Sequence, residues 1–236
     1  MLAVNPEEYE NLYASFHNPI ATLNCGEKCA PYNQNRVPFC CDTRHAVPTA
    51  YRTEWEYLQA RSQLWHLWSP VDSQEVRKIR SETPAGHVLI ECLGHLHCER
   101  SYRAITCRAF PFFPYLNRQG ELVGMSYYWE YEDRCWVISH LHKVSLRYRA
   151  EFISAYEQIF AAYPQEKENF RYHSAMMRRV FGRQHRAIPL LHRNGFAYKI
   201  TPHNGRLRRV PLTEFPSFGP YLVAAKLAFR DELEES

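Results

Sequence analysis

No stretch of this 236-residue chain approaches the roughly 18 consecutive apolar residues that span a bilayer, so no transmembrane helix is expected. The start, MLAVNPEEYENLYASF, carries two adjacent glutamates and no apolar run of signal-peptide length; secretion is not expected, and the expected location is the cytoplasm. There is no strong excess of one charge: 29 Lys and Arg against 25 Asp and Glu leave +4, short of the concentrated basic footprint of a dedicated nucleic-acid binder. The signatures of common enzymes are missing too. No Gly-x-Gly-x-x-Gly unit, Gly-x4-Gly-Lys loop, Gly-x-Ser-x-Gly elbow or glycine-rich S-adenosylmethionine loop occurs, and no repeat or low-complexity tract. Nor is there any cysteine after Cys135.

What is present is a cysteine-rich first half. The eight cysteines, Cys25, Cys29, Cys40, Cys41, Cys92, Cys98, Cys107 and Cys135, all precede the last hundred residues. A chain of this length can bury a core without disulfide staples, and in a reducing compartment clustered cysteines are metal ligands or redox thiols more often than a disulfide framework. Thiolate sulfur is a soft ligand that selects zinc, copper(I) or iron–sulfur clusters. The spacings match neither the pair-and-pair pattern of a zinc ribbon nor that of ferredoxins, so they favour metal binding with redox thiols or inert cysteines as the alternatives.

The run Cys98-Glu99-Arg100-Ser101-Tyr102-Arg103-Ala104-Ile105-Thr106-Cys107-Arg108-Ala109-Phe110-Pro111-Phe112 is the most specific stretch of the chain. With the Cys25–Cys41 loop and its vicinal cysteines, and with Cys92-x5-Cys98, it resembles the YkgJ-type cysteine-cluster family, described as zinc- or iron-chelating; the flagellin lysine N-methylases carry a similar cluster. The resemblance covers roughly residues 20 to 140. Cys25, Cys29, Cys40 and Cys41 resemble its first cysteine group, and Cys92, Cys98 and Cys107 its second. Arg103 resembles the arginine of its Arg-Pro pair, and Arg108, Phe110 and Pro111 its CR-x-FP signature. This relation tilts the choice to a [4Fe-4S] cluster over zinc; from the order of the cysteines Cys135 joins the second group as a ligand, and Arg103 and Arg108 are candidate cofactor-binding side chains that offset the thiolate charge. His95 and His97, between Cys92 and Cys98, are further candidate ligands, ahead of His140 and His142.

The expected fold class is α+β: an irregular cysteine-rich metal-binding core with short strands and hairpins over residues 1–142, then an antiparallel helix pair and a C-terminal hairpin over 143–236, packed as one domain with it. Asn5 and Pro6 suit the start of a helix over 5–16, and 18–48 reads as a loop ordered by what it binds. Thr53 with Glu56 suggests a capped helix running on through Leu64, Trp65 and Trp68 to Pro70. Residues 71–80 carry only a weak helical pattern. His87–Cys92 reads as a strand, and a hairpin turned at Asn117–Gly120 carries the chain toward Cys135, bringing it back beside Cys107. Apolar residues from Leu146 to Tyr163 at spacings of three, four and seven predict a helix stopped by Pro164, and a second helix follows to Gly182 with Met176 and Met177 as core filler. A hairpin turned at Asn204-Gly205 and a final helix over Pro220 to Glu234 complete the expectation.

Functionally, the residues point to a metal-binding protein holding an iron–sulfur cluster, in redox chemistry, sensing or metal handling. The alternatives are a zinc-stabilised interaction module and a protein lysine N-methyltransferase-like enzyme. A protein partner on the C-terminal helices is expected, with the basic clusters Arg178, Arg179, Arg183, His185 and Arg186, and Arg206, Arg208 and Arg209, as solvated faces or anion-binding surface.

Overall fold

Aromatic residues set the frame of the first half. In the computed structural model, which describes residues 6–222, helix α1 (Pro6–Ser15) buries Tyr9, Tyr13 and, just past its end, Phe16. Asn5, the expected cap, lies outside the described residues. The segment expected as a loop holds a short helix, α2 (Cys25–Cys29), and two 3-10 turns at Ala30–Tyr32 and Phe39–Cys41. Strand β1 (Thr49–Tyr51) leads into α3 (Arg52–Arg61), whose first turn is tied by Glu54, not Glu56: the Tyr51 amide donates to Glu54 Oε2 at 3.3 Å.

The helix expected to continue to Pro70 stops at Arg61. Ser62 adopts extended backbone, its Oγ accepts from the Leu64 amide at 3.0 Å, and Trp65–Leu67 becomes strand β2. The apolar spacing across 57–68 thus belongs to two elements, because Trp65, His66 and Leu67 find partners in a later strand. After α4 (Gln74–Glu82), capped by Ser73, β3 (His87–Cys92) pairs antiparallel with β1 and β2 in the order β1-β3-β2. Trp65 sits opposite Cys92.

Helix α5 (Ile105–Ala109) carries Cys107 and is followed by the expected hairpin, β4 (Phe112–Leu116) and β5 (Leu122–Tyr127). The two long helices, α6 (Leu146–Ala162) and α7 (Pro164–Arg183), fall where their periodicity placed them, with Pro164 at the first position of α7. Strands β6 (Ile188–His192), β7 (Ala197–Ile200) and β8 (Leu207–Val210) then complete a five-stranded antiparallel sheet in the order β4-β5-β6-β7-β8. That sheet crosses the 142/143 boundary, since Gly124 of β5 faces His192 of β6. The approach there is close: a Cβ on Gly124 would meet Leu191 O at 2.5 Å and His192 Cα at 2.8 Å. Residues 219–222 enter a helical turn, and the rest of the expected final helix to Glu234 lies outside the described residues.

The class is therefore α+β, with helices against antiparallel sheets. One core joins Tyr9, Tyr13 and Phe16 of the first helix to Leu58 of α3, Phe112 of β4 and Phe152 and Tyr156 of α6. Each such side chain contributes about 1.5–3 kcal/mol on burial. A second core lies between the larger sheet and α7, built on Phe113, Met177, Phe181 and Leu190. No described helix is long and apolar enough to cross a membrane.

Candidate metal and ligand cleft

Between the smaller sheet, α7 and the cysteine-bearing segments lies a cleft of about 1600 Å³. Local chemistry brings its walls together. Asn24 Oδ1 accepts from the Gly26 amide at 3.2 Å and starts α2 at Cys25. Gly26 lets this turn press on the chain before Cys40, because a Cβ there would meet Pro38 Cγ at 2.9 Å. Beyond the Cys40–Cys41 turn, Asp42 accepts from Asn33 Nδ2 at 2.9 Å and Arg44 Nε at 2.9 Å, which folds the loop back on itself. Those bonds, the Arg44 guanidinium first, hold the Asp42 carboxyl well below the usual carboxylate range.

Cys92 arrives at the end of β3, and Gly94, with φ of +100°, turns the chain toward Cys98. Buried Glu54 then fixes the segment carrying Cys107. Its Oε1 accepts from the Ile105 amide at 2.7 Å and from Tyr13 Oη at 2.6 Å, and Thr106 Oγ1 donates to Thr49 O at 2.6 Å. These bonds place α5 against β1 and α1.

Cys25, Cys40, Cys41, Cys92, Cys98 and Cys107 line the cleft with Arg103, and all eight cysteines are free. Arg103 Nε donates to Cys98 Sγ at 3.0 Å. Burial works against the Arg103 charge, yet the Cys98 hydrogen bond and the nearby Cys41 and Cys107 sulfurs hold it above the ordinary guanidinium value. Burial pushes the Cys107 thiol up, with Cys41 and Cys92 adding to the rise and Arg103 opposing it. Cys40 and Cys41 face each other at 3.9 Å between sulfurs. Their contact drives the Cys41 thiol down, assisted by Arg103, and the Cys40 thiol up.

Cys29 and Cys135 do not line the cleft. Cys29 is buried with Phe39 and Tyr221, and burial pushes its thiol up to about 11. Cys135 lies within electrostatic reach of Cys25 and Cys29, and its thiol is raised by burial first. After Tyr127 the chain winds through a 3-10 turn at Trp129–Tyr131 and delivers Cys135 to the Cys25–Cys29 side, outside the cleft lining that holds Cys107.

Arg108 does not reach the cleft at all. Its guanidinium donates to the carbonyls of Arg103 at 2.9 Å, Tyr13 at 3.0 Å, Ser101 at 2.6 Å and Phe16, and sits 4.2 Å from the Tyr13 ring centre. It is a brace that holds the Arg100–Arg103 turn to α1, not a group facing the thiols. His95 lines the cleft and His97 does not. His140 stacks on Trp136 at 4.1 Å, away from it.

The other part of the cleft has no cysteine. Glu166, Asn169, Phe170, His173 and Met176 line it from α7, facing Tyr51 and His87 of the smaller sheet. Their spacing of three and four marks one helix face. The sequence gives that helix core methionines, a basic cluster and a partner surface but no cleft-lining role; the mixed chemistry of this face, one acid, one amide and one histidine among apolar residues, is the signal that points to it. Met177 is fully buried, whereas Met176 borders the cleft. In the basic cluster that follows, Arg178 donates to Leu116 O at 2.8 Å, and Arg186 reaches Glu132 Oε1 at 2.5 Å.

Among the described residues, no group of three or more His, Cys, Asp or Glu side chains is arranged to hold a metal ion. The donor chemistry nonetheless fits a thiophilic group: six free thiols border one cleft with a cation hydrogen-bonded to one of them. Two thiolates on one tetrahedral zinc, each at about 2.3 Å, stand roughly 3.8 Å apart, close to the Cys40–Cys41 separation of 3.9 Å. In comparisons with known proteins, no family model, curated protein or solved structure matches the chain.

Proposed function

We propose that the chain is a metal-binding protein whose cleft cysteines hold an iron–sulfur cluster, serving redox chemistry, sensing or metal handling. The observation that carries this reading is the set of six free thiols on one cleft with Arg103 donating to Cys98. Cys41, Cys98 and Cys107 lie in the field of Arg103, Cys92 lies within electrostatic reach of the same three thiols, and these four would be the holding set, with Cys25 and Cys40 beside Cys41. A cluster would supply one-electron chemistry. The chain's own contribution is a donor to thiolate sulfur, which raises the potential of such a group, and a partly apolar wall that limits water. The resemblance of the CRAFPF run to the YkgJ-type family supports the same reading, which carries with it a cytoplasmic setting, in which thiols stay reduced, and a protein partner on the C-terminal helices.

A second reading, zinc held through Cys40 and Cys41, is favoured by their 3.9 Å separation. Elemental analysis and an absorption spectrum of anaerobically prepared protein separate the two. A brown protein absorbing broadly in the near-ultraviolet and visible, with iron and sulfide bound, is the expected result. Colourless protein with stoichiometric zinc would establish the second reading, and metal-free protein that takes up neither would end both.

A further inference from the structure

The cysteine-free part of the cleft has a chemistry of its own. Glu166 is 8% exposed, and no Lys or Arg pairs with it among the described residues. Asn169 Nδ2 donates to its Oε1 at 2.9 Å. The neighbouring His87 Nε2 stands 3.6 Å from the same oxygen, beyond hydrogen-bond range but close enough to pair with it when the imidazole is protonated. The carboxylate thus has an amide and an imidazole beside it and no guanidinium or ammonium among the described residues.

His87 is itself unusual. Its side chain is 9% exposed, and its buried Nδ1 has no hydrogen-bond partner. His173 on the same wall has a buried, unpartnered Nε2. Burial holds His173 down at about 4, so it is neutral near pH 7 and does not offset the Glu166 charge.

Around this carboxylate stand aromatic rings. Tyr51 lies 4.5 Å from the His87 ring and stacks on Tyr163 at 4.4 Å. Tyr128 and Tyr156 also border the cleft, with Phe170 between α6 and the opening. Burial first, and the Glu166 carboxylate among the further causes, raise the phenols of Tyr51, Tyr128 and Tyr156, which places all three within its field. The arginines that line the cleft, Arg36, Arg100 and Arg103, belong to the cysteine-bearing segments instead. The cleft lining therefore falls into two groups: thiols and arginines, with Glu27 and Glu91, on the cysteine-bearing segments, and Glu166 with aromatic residues on α7 and the smaller sheet; Glu82 borders the same cleft.

We propose that the Glu166 group, walled by Tyr51, Tyr128 and Tyr156, is a binding subsite for the protonated amine of a small organic molecule. An ammonium there would meet the carboxylate in a cleft bordered by these aromatic side chains, an arrangement that selects organic cations over their neutral isosteres. The roomy cleft leaves space for the remainder of the molecule to extend toward the thiols. The subsite does not depend on a metal, so it and the metal-binding reading can fail separately.

Calorimetric titration of the full chain tests this, with n-butylammonium chloride and tetramethylammonium chloride as probes and n-butanol and sodium chloride as controls. Saturable binding of the two organic cations, at least tenfold tighter than butanol, is expected, with a tenfold or greater loss in Glu166→Gln. Tyr128→Leu, which leaves the carboxylate in place, is expected to weaken tetramethylammonium several-fold, and it serves where Glu166→Gln lowers folded yield. Circular dichroism establishes that each variant is folded. No saturation by either cation to tens of millimolar overturns the proposal. So does butanol binding as tightly as butylammonium, or unchanged cation affinity in both folded variants. Metal content, measured on the same samples, decides the other reading alone.

Discussion

Replacing Arg108 by methionine removes the brace beneath the CRAFPF run while keeping most of its volume. The side chain is 8% exposed and donates to four carbonyls within 3.0 Å from two segments, those of Ser101 and Arg103 and those of Tyr13 and Phe16. A hydrogen bond from a charged donor contributes about 1.5–3 kcal/mol, and an orphaned buried carbonyl costs about 1–3 kcal/mol. Against this stands the cost of burying the guanidinium, visible in its pKa, which burial pulls down. Methionine recovers that cost and part of the packing, so the net loss expected is about 3–5 kcal/mol. For a chain of this size that corresponds to a fall in Tm of roughly 6–20 °C. Arg108→Lys keeps the charge but not the fork and is expected to lose about half as much. Urea denaturation followed by circular dichroism measures both. If Arg108→Met stays within about 1 kcal/mol of the parent, the four carbonyls find other donors and the brace is not what holds the turn.

Three further outcomes follow from the same geometry. Arg103→Gln removes the donor to Cys98, and metal retention measured by elemental analysis is expected to fall by about ten- to a hundredfold in affinity, with Arg103→Lys recovering part of it. Gly124→Ala sets a methyl group against the backbone of Leu191 and His192; a loss of about 2–3 kcal/mol in urea unfolding is expected, and no loss would mean that β5 and β6 separate freely. His173 gives a pH dependence. Its folded pKa is depressed from 6.5 to about 4, so the unfolded chain takes up the proton first; this contribution is fully present above pH 6.5 and is lost as pH falls from 6.5 to 4. About 2–3 kcal/mol of stability goes with it, and His173→Phe, which keeps the ring against Trp129 and Phe113, is expected to flatten that part of the profile.

The long-period patterns were legible without coordinates because they depend on local spacing. Residues 146–183 read as two helices broken at Pro164, and the turns at Asn117–Gly120 and Asn204-Gly205 read as hairpins, since backbone geometry there is dictated by neighbours in the chain. Short elements were not legible in the same way. Trp65–Leu67 carries a helical-looking pattern, yet Ser62 ends the helix and the strand forms because β3, more than twenty residues later, offers its edge. Arg108 shows the same limit from the other side: its place in the CR-x-FP run marks it for the site, but the carbonyls of α1 claim it.

By itself, the sequence determined that one half of the chain is chemically distinct, since a soft-ligand residue confined before residue 136 is a matter of composition. It also determined the α+β class and the helix pair. Only the tertiary structure decided which cysteines share a cleft, that six line it while Cys29 and Cys135 do not, and that Arg103 alone of the two arginines turns toward them. The Glu166 group was decided there too. Tyr51, His87, Tyr128 and Glu166 are scattered over more than a hundred residues, and only the fold, with α7 packed on the larger sheet and facing the smaller one across the cleft, brings them to one lining. Spacing encodes what neighbours in the chain can do together; burial and long-range pairing decide which distant groups meet.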